Sequence, residues 1–523
     1  MLWRKRWEDI LNSNLNPVHV EQGPIVDDSE ANPVVGLFIN GCQVSAEARG
    51  SFERLDPTTN LVASRAAGGR ASDAENMAAV AAASFSSWAA LSGVERAAVL
   101  LRARALLPTY ASRFASRMTA EMGATADWIE FNLTIAAEVL TATADLAASF
   151  DPGLAVLGDG ASVAVRQPVG ICLAIAPWNA PIALGMRSIA FPLAFGNAVI
   201  FKASELCPAT HVLLAELLHD AGVPAGVLSV MTNAPEHSEE VVETLIAHAA
   251  VRRINFTGST RVGRIVAVIA ARHLKRCLLE LGGKSPFVVL ADADLDAAVE
   301  AAVFGAYLNN GQICMATDRI IVEDAVADAF VEALAERSRL LVAGDPRQPG
   351  VRLGPLGTPG IATRLSALIS DALEKGAHLV TGGPAHGQFM DATIIDHVSP
   401  MMRLYSEECF GPLVGIYRVG SADEAVTIAN DCEYGLSSAV FSNDLEAACA
   451  IAAQLETGIC HINGPTVADD PSMPFGGMKS SGYGRFGGDA CLDEFTEVRW
   501  ITTAGRAGGE QPSRKIQQQG ERA

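Results

Sequence analysis

From Val169 to Phe201 the chain carries a single charged residue, Arg187. A run this apolar must be buried, in lipid or in a protein core. Gly170, Pro177, Pro181, Gly185, Pro192 and Gly196 favour the core, because they cut the run into pieces too short to cross about 30 Å of hydrocarbon. The pieces read as a strand, VGICLAIAP, a helix, IALGMRSIAFPLAFG, and a second strand, NAVIFKAS. Strands with no polar alternation are covered on both faces, as in parallel sheets.

The same alternation continues. GVLSVMT and RINFTG extend the first series of strands, with helices such as HVLLAELLHDAG between them. SPFVVL, DRIIVE and PLVGIYRV make a second series, separated by DLDAAVEAAVFGAYL and AVADAFVEALAERSRL. Strand–helix alternation means parallel sheets with crossover helices, and 523 residues exceed one hydrophobic core. The fold class is therefore α/β with two parallel-sheet domains. An alanine-rich stretch from Ala71 to Phe150 has helical spacing and few strand signals. A net charge of −20 argues against a nucleic-acid partner. The ten cysteines show neither C-x-x-C nor Cys/His ligand spacing, which argues against disulfides or a metal site and for a reducing, cytoplasmic setting. MLWRKRWEDI has no apolar segment behind it, so no secretory signal or membrane partner is expected.

Two glycine-rich stretches imitate phosphate loops and fail on context. GYGRFG, with Gly482, Gly484 and Gly487, follows a polar loop rather than a strand and reads as a turn. LELGGKSPF contains G-K-S, but the glycine a P-loop needs is replaced by Leu278. RINFTGSTRVGRIV is better suited to an anion. Its strand ends at Thr257, Gly258 permits close backbone approach, and Ser259–Thr260 can cap a helix running through Gly263, whose first-turn amides favour a phosphate. An ordinary capped strand–helix turn would read the same. In FKASE, after another strand, Lys202 could face ribose or phosphate. Glu205 could accept from ribose hydroxyls and repel a 2′-phosphate, favouring NAD over NADP.

NNGQICMATDR sets a lone thiol, Cys314, among small and amide residues. A cysteine nucleophile needs an oxyanion donor and a partner for the second chemical half. Asn179 in PWNAP, just past a strand end, offers a side-chain amide, though a plain turn asparagine looks alike. Glu280 in ELGGKSP reads either as a base for water or as a solvated charge at a strand end.

Taken in order, APWNAP, FKASE, FTGSTRVG, ELGGKSPFVV, GQIC, EECFGPLVG and MPFGGMKSSGYGR resemble the motifs of the NAD(P)-dependent aldehyde dehydrogenases, over about Gly36 to Thr503. PWNAPIALGMRSIAFPLAFGNAVIFKASE and HINGPTVADDPSMPFGGMKSSGYGRFGG look most like the aromatic-aldehyde members, the salicylaldehyde and vanillin dehydrogenases. The resemblance implies that Cys314 is the nucleophile, Glu280 the base for the deacylating water, and Asn179 with the Cys314 N–H the oxyanion hole. It implies NAD as cofactor and no metal. Lys202 and Glu205 would hold the adenosine ribose, Gly258, Ser259 and the helix through Gly263 the pyrophosphate, and Glu408 and Phe410 the nicotinamide end. Leu281 and Trp178 would complete the cofactor contacts, and Trp178 and Phe475 would wall the tunnel for an aldehyde substrate. It further implies an NAD-binding domain over 34–149 and 170–279 and a catalytic domain over 280–487. Strands within 150–169 and 488–505 would build a homodimer or homotetramer. Residues 1–33 read as a loose extension and 506–523 as a frayed tail.

Arg187 lies on the helix expected beside that tunnel, where a buried charge needs a partner. It reads as a salt bridge or backbone contact, or as a contact to a phenolic oxygen or carboxylate of the substrate. It does not separate an aromatic hydroxyaldehyde from a succinate-semialdehyde-type substrate. Asp469 and Asp470, in the loop expected at the substrate mouth, read as solvated or as disfavouring anions. Three other readings compete. A CoA-acylating relative would not need Glu280. A thiol hydrolase pairing Cys314 with His461 would leave FTGSTRVG and FKASE idle. An NAD-binding structural protein on the same fold would not need Cys314, Glu280 and Asn179 together.

Overall fold

A computed structural model describes residues 32–44, 50–150, 155–157 and 162–502. The expected extension, up to residue 31, and the expected tail lie outside them. Ala71–Ala89, Gly93–Met122 and Ala126–Ser149 are helices and fill the alanine-rich stretch. Local chemistry sets the ends of the middle one. Ser92 and Glu95 form a reciprocal capping box at its start, and Gly123 ends it with φ 69°.

An eight-stranded sheet has at its centre five parallel strands in the order Arg276–Glu280, Val251–Thr257, Ile171–Ile175, Ala198–Lys202, Leu228–Met231. The chain starts in the middle of this row, builds outward to Leu228–Met231, then returns to add the other side. That reversal puts a crevice beyond the carboxyl ends of Ile171–Ile175 and Val251–Thr257, where open α/β sheets bind ligands. The apolar run supplies two of these strands and the Pro181–Ala194 helix between them, in which every residue is buried. Among the described residues no single helix is long and apolar enough to cross a membrane.

A seven-stranded sheet follows in the order His378–Thr381, Thr393–Asp396, Leu413–Val419, Thr317–Glu323, Ser285–Val289, Ser437–Phe441, Ile459–Ile462, parallel except at its first pair. Thr496–Thr502 pairs antiparallel with Ser162–Pro168 along its whole length, and leaves Val498 and the 71% exposed Trp500 uncovered. One expectation needs correction. GYGRFG is not simply a turn: Gly482–Tyr483 is a short strand that pairs with Leu279 and Glu280 on the edge of the first sheet. A two-residue strand is too short to show alternation, and its partner lies far away in sequence.

Candidate active site

Asn179, Glu205, Ser259 and Leu281 all lie in the segments that leave the carboxyl ends of parallel strands in the first sheet. Cys314 approaches the same place from the second sheet, in the turn before Thr317–Glu323. The turn is built from an unusual backbone. Asn309, Asn310 and Gly311 have φ of 49°, 57° and 64°, three left-handed residues in succession. Asparagine tolerates this conformation better than other residues with a side chain. Gly311 is further required by space, since a Cβ there would lie 2.4 Å from the carbonyl oxygen of Gly411. The Asn310 Nδ2 donates to the Gly354 carbonyl at 2.5 Å, and the Gly357 N–H donates to Gln312 Oε1 at 2.9 Å, so the turn is held from both sides.

Asn179 is tied to this turn. Its Nδ2 donates to the Gln312 carbonyl at 2.8 Å, using one of two amide hydrogens. Its own carbonyl accepts from Trp128 Nε1 at 2.7 Å and from Asn309 Nδ2 at 3.1 Å. The amide is thereby fixed two residues from Cys314, whose carbonyl comes so close to Gly283 that a Cβ there would sit 2.2 Å away. Gln312, Asn309 and Trp128 are positioning residues that motif reading missed. The amide-rich NNGQ text is the only trace of the first two, and Trp128 leaves none.

Glu280 is 1% exposed, and neither of its carboxylate oxygens has a hydrogen-bond partner of good geometry among the described residues. Burial pushes its pKa up to about 7; the adjacent Cys314 thiol and the Arg187 guanidinium pull the other way. The partly exposed Cys314 is itself pushed well above the usual thiol range, first by desolvation and then by the Glu280 charge. A carboxyl and a thiol, each holding its proton more tightly than usual, therefore stand side by side. Burial likewise raises Glu408 to about 7, against the Gly283 N–H that donates to it at 3.0 Å. Phe410, with φ 46°, meets Trp178 edge to face at 6.1 Å between ring centroids.

At the neighbouring strand ends, Lys202 pairs with Glu205, which also accepts from Ser238 Oγ. Burial works to raise the Glu205 pKa, but the Lys202 charge and these hydrogen bonds outweigh it and hold the carboxylate below its ordinary value. Asn233 Oδ1, beside them, is a buried acceptor with no partner among the described residues. Ser259 is exposed and caps the Thr260–Arg272 helix, its Oγ accepting from Val262 N–H at 3.4 Å. Gly263 packs on Leu281, with no space for a Cβ. Open helix amides, a fixed carboxylate and an orphaned acceptor suit a dinucleotide. Lys284 of the rejected G-K-S is buried at 3.5 Å from Asp318, away from any phosphate role.

Arg187 and Asp469 form a buried ion pair, with side chains 2% and 6% exposed. Asp469 is thus not solvated, whereas the exposed Asp470 accepts from Ser472 N–H and Oγ at 2.9 and 2.6 Å. The Arg187 Cζ stands 4.2 Å from the centroid of the buried Phe475 ring.

The family profile "Aldehyde dehydrogenase family" matches residues 44–501. The chain is 51% identical over 476 residues to a vanillin dehydrogenase of Pseudomonas sp. strain HR199, covering 90% of this chain and 97% of that one. It is 46% identical over 470 residues to a salicylaldehyde dehydrogenase of Pseudomonas sp. strain C18, covering 89% and 97%. Among solved structures, a salicylaldehyde dehydrogenase from Pseudomonas putida G7 complexed with salicylaldehyde superposes with a TM-score of 0.88 at 43% identity, covering 91% of this chain and 99% of that one.

Proposed function

The chain belongs to the aldehyde dehydrogenase family, and from that premise we propose that it oxidises an aromatic aldehyde of the salicylaldehyde or vanillin kind to the carboxylic acid, with NAD as cofactor. The observation that carries the chemistry is the buried Glu280 carboxylate beside the Cys314 thiol, both of its oxygens left without good partners. The relatives' names support the aromatic class.

Once deprotonated, Cys314 Sγ adds to the aldehyde carbon. The Asn179 amide and the Cys314 N–H donate to the oxyanion, and loss of one such donor costs about 10²–10³ in kcat. NAD, when bound, supplies the acceptor for the hydride that leaves the former aldehyde carbon, and a thioester remains on Cys314. Glu280 then takes a proton from the water that attacks the thioester, and the acid leaves Cys314 free. Lys202, Glu205, Gly258, Ser259 and Gly263 would hold the adenosine and pyrophosphate, and Trp178, Leu281, Glu408 and Phe410 the nicotinamide end.

Members of the family use NAD(P). The anionic Glu205 supports NAD, because a fixed carboxylate beside the ribose repels a 2′-phosphate. Glu205→Gln is expected to raise kcat/KM with NADP relative to NAD on the order of 10-fold, a discrimination of about 1.4 kcal/mol; an unchanged ratio would remove Glu205 from cofactor choice. The exposed Val498 and Trp500 on an edge strand support assembly into a dimer or tetramer.

The test of function is reduced-cofactor formation on salicylaldehyde, vanillin, benzaldehyde, succinate semialdehyde and acetaldehyde, each with NAD and NADP. The highest kcat/KM is expected on the aromatic aldehydes with NAD. Preference for succinate semialdehyde would overturn the substrate class and leave the mechanism standing.

A further inference from the structure

Arg187 is the charged residue of the apolar helix, and Asp469 comes from a loop 282 positions away. Their ion pair joins Nη2 to Oδ2 and leaves the other atoms unused. Arg187 Nε and Nη1 and Asp469 Oδ1 are all buried with no hydrogen-bond partner among the described residues, and so is His461 Nε2. A buried polar group without a partner is costly, so several together make a poor structural salt bridge and a good recognition site for a polar group.

The cluster is within electrostatic reach of the chemistry. Arg187 acts on both Cys314 and Glu280, and Asp469 acts on Glu280 and on His461. The Arg187 guanidinium stands over the Phe475 ring, and Phe475 belongs to the apolar cluster against which Trp178 and Cys314 pack. An aromatic aldehyde with its carbonyl at Cys314 would extend its ring along these side chains.

We propose that Asp469 is a specificity-determining residue: paired with Arg187, it presents one acceptor and neighbouring donors that match a hydroxyl on the substrate's ring and reject a carboxylate. This rests on the aromatic reading above. A phenolic hydroxyl can donate to Asp469 Oδ1 and accept from Arg187 Nη1, satisfying both at once. A carboxylate accepts only, and would set its charge against Oδ1. Without Asp469, the same arginine would be an unopposed cation suited to an ω-carboxy aldehyde. Asp469 therefore decides which of the two chemistries open to Arg187 the site selects.

The experiment uses the full chain with saturating NAD. It measures kcat/KM on benzaldehyde, on the 2-, 3- and 4-hydroxybenzaldehydes and on the matching carboxybenzaldehydes, in wild type, Asp469→Asn and Asp469→Ala. Benzaldehyde engages none of the orphaned atoms and controls for folding and chemistry. Asp469→Asn keeps an acceptor but loses the charge, so the best carboxy-to-unsubstituted ratio should rise about 10-fold or more. Asp469→Ala also loses the acceptor, so the best hydroxy-to-unsubstituted ratio should fall by about 10-fold, mainly through KM. Ratios unchanged within twofold, in variants that still oxidise benzaldehyde, would overturn the role of Asp469 and leave the aromatic reading intact. Collapse of benzaldehyde turnover in Asp469→Asn would make the pair structural and overturn it equally. A wild type inactive on every benzaldehyde but active on aliphatic aldehydes would overturn both readings.

Discussion

Cys314→Ala is expected to bind NAD with unchanged affinity and to form NADH from salicylaldehyde more slowly by roughly 10⁴-fold or more, the scale of losing a covalent nucleophile. The change deletes one sulfur atom and disturbs little else. The turn that carries Cys314 is shaped by the left-handed Asn309–Gly311 backbone and held by Asn310, Gln312 and Asn179, none of which uses the thiol. The thermal midpoint should therefore stay close to that of wild type. No second cysteine is placed to substitute. Cys409 is buried against Lys284 and Asp318 and pushed up to about 12 by burial, and Cys207 is buried beside His211. Two measurements check the prediction: a binding titration with NAD, and the initial rate of NADH formation at saturating aldehyde. A variant within 10-fold of the wild-type rate would remove Cys314 from the chemistry. A variant that loses NAD binding as well would mean that the turn had collapsed, and Cys314→Ser would then be the cleaner comparison.

What could be read from the text was local. The charge-free run between Val169 and Phe201 became two buried strands and a wholly buried helix because strand, helix and breaker signals all lie within it. Ser259 was legible as a cap because a helix start depends on the next three residues. The partner of Arg187 was not legible. A buried arginine announces that it needs a partner, but nothing in the text links it to an aspartate 282 positions away, and only the fold buries Asp469 while leaving Asp470 in a solvated turn. The Gln312 carbonyl that fixes Asn179 is main chain, so no side-chain motif could mark it. Gly482–Tyr483 reads as a turn because a polar loop precedes it; pairing with Glu280 is a property of the sheet edge. Long-range pairs and two-residue strands carry no periodic signal, and these are the parts that the structure had to supply.

Glu280→Gln should split the reaction in two. Its steady-state rate is expected to drop about 10²–10⁴-fold, the usual worth of a general base, while a burst of about one NADH per active site survives. The burst survives because burial and then the Glu280 charge hold the Cys314 thiol high; removing that charge eases thiolate formation, with Arg187 still acting in the favourable direction. Hydrolysis fails because an amide cannot take the proton of the attacking water, so a thioester accumulates on Cys314, visible by mass spectrometry of the intact protein. The pH profile follows the same group. With Glu280 near 7, wild-type deacylation should rise as pH increases through about 7 and level off above it, and the slope should vanish in Glu280→Gln. Stability should move the opposite way. A carboxyl whose folded pKa lies above its ordinary 4.5 makes the native state bind the extra proton, so wild type loses stability as pH climbs from about 4.5 to about 7. Glu280→Gln, neutral throughout, should escape that loss and melt higher than wild type at pH 8. Rapid mixing resolves the burst and calorimetry the melting. A steady-state rate within 10-fold of wild type would remove Glu280 as the base, and loss of the burst together with turnover would move its role to the acylation half.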